Sequence, residues 1–407
     1  MFGAWLSSVF AASLLVNMYS SVNGQAGFVL LAIALAWPPV YFMFSRCRFF
    51  PRRLSGGSLV ALIMFSGFCA LSSLTSARPL ESIGYSILTL ITFGVVLQFN
   101  SNLDTVQYER GLKTYALVML LLVLSFSVYD YVPGVRLGRG KDILNPNALA
   151  LIAMSVLLGG MAIRMIPLRL LVIVAMGVVI VFTGSRAAAV ASLAGFGVIL
   201  LLRLRVARAS SALIVLGVVA VVGLLLASFY ADATVRELDQ FFALHDQHRG
   251  LESGASGRSL AWQATWKLFL SHPLLGVGFR THEYLLKVGT SSHNGYLALL
   301  AEVGLVGFAA VLFLALSGMA KVWQRMKDPA QIYSHSILFG LGCGYFALAL
   351  FERYLINVGN PTSLLFLVTI LMPAMPLEAV KPTRETGEDW YEEGRSDGHP
   401  IPRLQTL

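Results

Sequence analysis

The chain of 407 residues is 57% hydrophobic and only 13% charged, with a mean hydropathy of +0.73, a composition that excludes an ordinary soluble globular domain. Its net charge of +9 forms no nucleic-acid face, because the basic residues stand in short clusters between apolar runs, as they do in loops that anchor membrane helices. Cys47, Cys69 and Cys343 lie far apart, two of them inside apolar runs, and read as packing residues and not as a metal or redox set.

A bilayer core of about 30 Å needs about 20 helical residues. On that measure the apolar runs predict about twelve spans, near residues 4–20, 27–44, 58–74, 83–99, 114–130, 148–163, 169–184, 187–202, 211–229, 294–319, 333–351 and 361–377. The first, MFGAWLSSVFAASLLVNMY, lacks a basic stretch before it and is expected to be a span and not a cleaved signal peptide. The expected fold is therefore all-α: a polytopic membrane protein with N-terminal transmembrane helices over 1–147 and a second membrane domain over 148–377. Residues 378–407, which include RETGEDWYEEGRSDGHPIP, are polar and are expected to form a disordered tail.

Orientation follows from charge. The loops after the even-numbered spans carry fourteen basic residues: Arg46, Arg48, Arg52, Arg53, Arg110, Lys113, Arg164, Arg169, Arg203, Arg205, Arg208, Lys321, Arg325 and Lys327. The short loops of the other side carry six, Arg78, Arg136, Arg139, Lys141, Arg186 and Arg353. The positive-inside rule makes the first set cytoplasmic and puts both termini inside.

One outer loop, 230–293, is long enough to be functional. It opens on DATVRELDQFF, expected to be a short amphipathic helix, and continues through an expected turn rich in Gly and Ser, ESGASG. In the following GRSLAWQATWKLFLSHPLLGVGF, Trp262, Trp266, Phe269 and Leu270 recur at i, i+4, i+7 and i+8. That spacing predicts a helix lying at the membrane surface with one apolar face.

The outer side also concentrates the candidate chemistry. Arg186, Arg258 and Arg280 stand where the charge rule disfavours arginine, and guanidinium groups at an interface suit bidentate binding of phosphate or diphosphate. An arginine at a helix end also simply snorkels to lipid phosphates. His293 precedes the tenth span, where it is either a structural hydrogen-bond partner or a general base, since imidazole titrates near neutrality. Ser291, Ser292 and Asn294 beside it are good helix caps.

Glu302 lies nine residues further on, about 13 Å deeper and roughly on the opposite helix face, so it is expected to be a network residue that orients another helix. Glu352 and Arg353 are a boundary pair, either ligands for sugar hydroxyls or a structural ion pair. Asn145 and Asn147 flank Pro146 at a helix start and either cap it or face a substrate. The outer loops hold neither paired carboxylates nor a His or Cys cluster at metal spacing, which disfavours a metal-assisted transferase. The glycines of GVGF and GRGKD have no strand context and give no nucleotide cradle.

The order TGSRAA, GRSLAWQATWKLFLSHPLLGVGF, SSHNGYLALLAEVGLVGF resembles the O-antigen ligase and polymerase superfamily of bacterial envelope glycosyltransferases, over about 144–360 and most closely over 257–308. The resemblance implies a multi-pass inner-membrane enzyme with its active site on the periplasmic face, using neither cofactor nor metal. It would take a glycan from undecaprenyl diphosphate and pass it to a sugar hydroxyl, with Arg186 and Arg258, and more loosely Arg280, on the diphosphate and His293 as base. The acceptor is a second lipid-linked glycan for a polymerase of O-antigen or exopolysaccharide units, or lipid A core for a ligase. Membrane lipids and a chain-length regulator complete the expected partners. A transporter or flippase of lipid-linked sugars is the reading from another class, against which stands the lack of an internal repeat.

Overall fold

The computed structural model describes residues 1–19, 24–44, 54–141, 145–204, 258–286, 291–353, 355–357 and 362–372. Among them every regular element is helical. In chain order these are α1 (Phe2–Tyr19), α2 (Gly24–Phe44), α3 (Gly56–Leu71), a 3₁₀ turn (Ser72–Thr75), α4 (Pro79–Asn102) and α5 (Thr105–Asp130). There follow α6 (Pro146–Gly160), α7 (Ile166–Thr183), α8 (Arg186–Leu204), α9 (Arg258–Ser271), a second 3₁₀ turn (His282–Leu285), α10 (Gly295–Arg325), α11 (Pro329–Leu348) and α12 (Thr362–Ile370). Every expected span within the described residues coincides with a helix; the ninth, 211–229, lies outside them, as do the DATVRELDQFF segment, Cys47 and the tail after 377.

The helix boundaries follow from local chemistry. Proline stands in the first turn of α4, α6, α7 and α11, where its missing N–H costs nothing. Asp104 and Gln107 close a reciprocal capping box at α5. Gly184 ends α7 with φ 58°, the left-handed cap that lets α8 begin two residues later.

Among the described residues, six helical segments are long and apolar enough to cross a membrane: Gly56–Thr75, Pro79–Asn102, Thr105–Asp130, Ile166–Thr183, Arg186–Leu204 and Gly295–Arg325. These are half of the expected twelve; the ninth expected span lies outside the described residues, and α6, at 15 residues, is an apolar helix shorter than a full span, with Leu149 to Gly160 all buried. Helix α7 is the opposite case, with Leu170, Leu171, Val174, Val178, Val181 and Phe182 all exposed, a surface that only hydrocarbon solvates well.

The bundle is tied by close helix pairs. Helices α8 and α11 pack along one another because Gly195 and Gly340 bring the two backbones together: a Cβ on Gly195 would stand 2.7 Å from the Gly340 carbonyl oxygen. Helix α10 lies along α3, and α1 lies against α2 and α5. A ring cluster of Phe2, Trp5, Phe99 and Tyr108, with Trp5 and Phe99 stacked at 4.7 Å, seals α1 onto α4 and α5.

Helix α10 is broken where it matters most for the site. Gly304 has φ 68° and ψ −176°, a conformation open only to glycine. The carbonyls of Ala301 and Glu302 are filled from outside the helix by the N–H groups of Val277 and Gly278, while Leu305 N–H donates to Pro273. The segment after α9 is thus laid into the break in α10. Two glycines allow the approach, since a Cβ on Gly304 would meet the Leu274 oxygen at 2.2 Å and one on Gly276 would meet the Glu302 oxygen at 2.4 Å. GVGF is a docking strip, clamped further by Thr75 Oγ1 donating to Gly276 O at 2.8 Å and Phe279 N–H donating to Ser72 Oγ at 3.1 Å.

Candidate functional site

The start of α6, the start of α9, the start of α10 and the end of α11 meet at one point, and Glu352 is the side chain on which they converge. Its carboxylate is only 3% exposed. Oε1 accepts from Asn147 Nδ2 at 3.2 Å and from Arg258 Nη2 at 3.3 Å, while Oε2 faces His293 Nδ1 at 3.3 Å. Four residues singled out in the sequence, spread over 205 positions, are therefore one cluster. Arg258 and His293 keep 23% and 31% of their side chains exposed, so the buried carboxylate is capped by two groups that reach outward.

Local sequence fixes each member. Asn145 caps α6, its Oδ1 accepting from Asn147 N–H at 2.8 Å, and so directs Asn147 inward. Asn294 caps α10, accepting from Tyr296 and Leu297 N–H at 3.0 Å, and Gly295 N–H donates to Ala349 O at 2.7 Å. That pairing holds the start of α10 against the end of α11 and leaves His293 with φ 44°. Among the described residues, the non-glycine positions with positive φ are His293 and Arg280. Such strain costs about 1–3 kcal/mol and persists only where the surroundings impose it, most often at functional sites. Three helix N-termini converging with Arg258 also make the place favourable to an anion.

A second polar network lies beside the first. His282 Nδ1 and Glu302 Oε1 are 2.6 Å apart, with His282 fully buried and Glu302 nearly so. Arg280 stands over the Tyr85 ring at 5.5 Å; burial, then Arg353 beside it, lower the pKa of its guanidinium from the ordinary value. Arg353 pairs with Glu283. Tyr284 donates to Glu81 at 3.0 Å and is covered by the Arg78 guanidinium at 3.7 Å. Burial, then the bond to Glu81, raise the Tyr284 pKa above its ordinary value.

Several expectations change in this light. Glu352 and Arg353 are not an ion pair with each other: consecutive on the turn that ends α11, they point apart, one to Arg258 and His293 and the other to Glu283. Glu302 orients the segment docked on α10 and not another helix, through His282, which the sequence reading passed over. The α9 face also divides differently. Ala261, Thr265 and Phe269 turn inward, whereas Trp266 and Leu270 are 45% and 56% exposed, so the helix packs on α10 with one stripe and offers Trp266 and Leu270 outward with another. Arg186 begins α8 directly after the Gly184 turn, a turn braced by Arg136 Nε donating to Thr183 O at 2.8 Å. Arg280 belongs with Glu302, Glu283 and Arg353 and not with the Glu352 cluster.

Among the described residues no group of three or more His, Cys, Asp or Glu side chains is placed to hold a metal. Asn147, Arg258, Glu352 and His293 together present a hydrogen-bonded imidazole next to a guanidinium at a half-open surface, an arrangement able to accept a proton beside a bound anion. No curated protein matches the chain. Residues 171–312 match a family model described as O-antigen ligase, narrower than the expected 144–360 but containing Arg186, Arg258, Arg280, His293 and Glu302, and this match supports the resemblance to the O-antigen ligase and polymerase superfamily over that part of the chain.

Proposed function

We propose that the protein is a metal-independent, inverting glycosyltransferase that moves a glycan from undecaprenyl diphosphate to a sugar hydroxyl at the periplasmic face of a bacterial inner membrane, lengthening O-antigen or exopolysaccharide repeat units. The match of residues 171–312 to the O-antigen ligase family model supports a membrane enzyme of polysaccharide assembly. The observation that carries the reading is His293, held at φ 44° with a carboxylate on Nδ1 and Arg258 on the same carboxylate. Positive φ at a histidine whose carboxylate partner is shared with a guanidinium marks a side chain held in place, as a base must be.

In this reaction the acceptor O–H gives its proton to His293 Nε2 as its oxygen attacks the anomeric carbon. The bond from that carbon to the diphosphate oxygen breaks, and its electron pair leaves on the diphosphate. Arg258 and Arg186 stabilise that charge in place of a metal. Attack from the side opposite the leaving group inverts the anomeric centre. Trp266 and Leu270 on the outward stripe of α9 meet the lipid and its polyprenyl chain.

A ligase acting on lipid A core is the second reading, favoured by the description of the matched family. Purified protein in nanodiscs, given undecaprenyl diphosphate-linked repeat units alone and then with lipid A core, separates the two. A ladder from donor alone supports the polymerase; product only with lipid A core supports the ligase. In sealed proteoliposomes, donor that crosses the membrane with no glycan transferred overturns both and leaves a transporter.

A further inference from the structure

Glu352 has more to do than neutralise a charge. Its carboxylate is shared by three donors from three elements: Asn147 on α6, Arg258 on α9 and His293 before α10. All three distances are 3.2–3.3 Å, at or beyond the long end of the ordinary range, so no donor has captured the carboxylate fully. A carboxylate facing Nδ1 selects the tautomer that carries its proton there, which leaves the lone pair on Nε2. It also stabilises the imidazolium once that nitrogen has taken up a proton. Arg258 competes for the same carboxylate, through one Nη2 contact.

Resting on the reading of His293 as base, we propose that Glu352 is a positioning residue for His293, and that Arg258, by sharing its carboxylate, couples the readiness of the base to the arrival of a diphosphate. When an anion draws Arg258 away, Glu352 is left with His293 and Asn147, and the hydrogen bond to the imidazole shortens. The base is then fully directed only when a donor is bound, which guards the site against activating a hydroxyl in the donor's absence. Among the described residues, the charged groups that face His293 are Glu352 itself and, across that carboxylate, Arg258, while Arg353, next to Glu352 in sequence, pairs with Glu283.

The test is Glu352→Gln and Glu352→Asp in the full chain in nanodiscs. Glutamine keeps the shape but sets an N–H opposite Nδ1, which favours the tautomer with Nε2 protonated. For Glu352→Gln the inference expects kcat to fall about a hundredfold, as when a placed base is lost, and the acidic limb of the pH–rate profile to move to lower pH. Binding of undecaprenyl diphosphate alone should become tighter, because Arg258 no longer leaves a carboxylate to reach it. Glu352→Asp should restore part of kcat and the original limb. A merely structural role would lower thermal stability and active fraction in both variants and leave the pH limb and the donor affinity unmoved, which would overturn the inference. So would Glu352→Gln transferring glycan at the wild-type rate. A wild-type protein that binds the diphosphate but transfers no glycan overturns the proposed function, and this inference with it.

Discussion

Two neighbouring networks in this protein are built from the same residue types, and they differ in how tightly they are closed. The His282–Glu302 pair is sealed: 2.6 Å apart, both side chains essentially without exposure, inside the strip that fills the break in α10. The His293–Glu352 pair is open: 3.3 Å apart, with the imidazole 31% exposed and its carboxylate divided among three donors. A histidine and a glutamate make a fastener in the first case and, on the function proposed above, a proton-handling group in the second. What separates the two is access and slack, which neither residue type nor proximity conveys.

The largest effect should come from breaking the open pair at its histidine. His293→Gly removes the base, and transfer should fall by about 10²–10⁴-fold, measured as product per folded molecule in nanodiscs. Glycine adopts the positive φ without strain, a gain that offsets its greater entropy loss on folding. The variant should therefore melt no lower than the wild type. Loss of activity together with a large loss of stability would place His293 with the fasteners.

Much of this contrast was legible in the sequence. His293, Asn147 and Glu352 stood out because each is a polar group at the edge of an apolar run, where polarity is expensive, and Arg258 because the charge rule disfavours arginine on the outer side. Their meeting was not legible, because 205 residues separate Asn147 from Glu352 and only the packing of α6, α9, α10 and α11 joins them. His282 was missed, yet a signal existed: a buried Glu302 demands a partner, and the nearest outer segment offers GFRTHEYLL. The break at Gly304 was hidden because VGLVGF scans as continuous apolar helix, and hydropathy carries no information on φ. The inward stripe of α9 was misjudged for a related reason, since Ala261 and Thr265 are small enough to pack closely but score lower than tryptophan.

Breaking the sealed pair should act on stability. His282→Ala leaves the Glu302 carboxylate buried without its partner, at a cost of about 3–5 kcal/mol, read as a drop in melting temperature in detergent. The transfer rate of the molecules that remain folded should fall far less than for His293→Gly. Equal losses of rate in the two variants would erase the distinction between the networks and bring His282 into the chemistry.

A smaller loss is expected from the break in α10. Gly304→Ala forces a side chain into φ 68° and against the Leu274 oxygen at 2.2 Å, and should cost about 1–3 kcal/mol. Gly276→Ala, on the other side of the same contact, should weaken the same docking. Combined, the two substitutions should cost less than the sum of their separate effects, because either one already lifts the strip from α10. Strict additivity would mean that the two glycines serve separate contacts.

Asn147→Ala should show the smallest effect, and it sharpens the comparison most finely. The amide supplies one of three hydrogen bonds to Glu352, and its loss should cost about 1 kcal/mol because Arg258 and His293 still satisfy the carboxylate. In the sealed network the hydrogen bond to Glu302 among the described residues comes from the His282 imidazole, while Arg280 and Arg353 act on that carboxylate through charge alone. With Asn147 gone, Oε1 turns wholly to Arg258, which strengthens the resting ion pair and sets it against the diphosphate. Donor binding should therefore weaken modestly in Asn147→Ala while it tightens in Glu352→Gln. Opposite shifts from two substitutions on one hydrogen-bonded cluster are expected of a carboxylate that is shared, and a shift of the same sign in both would mean that it is not.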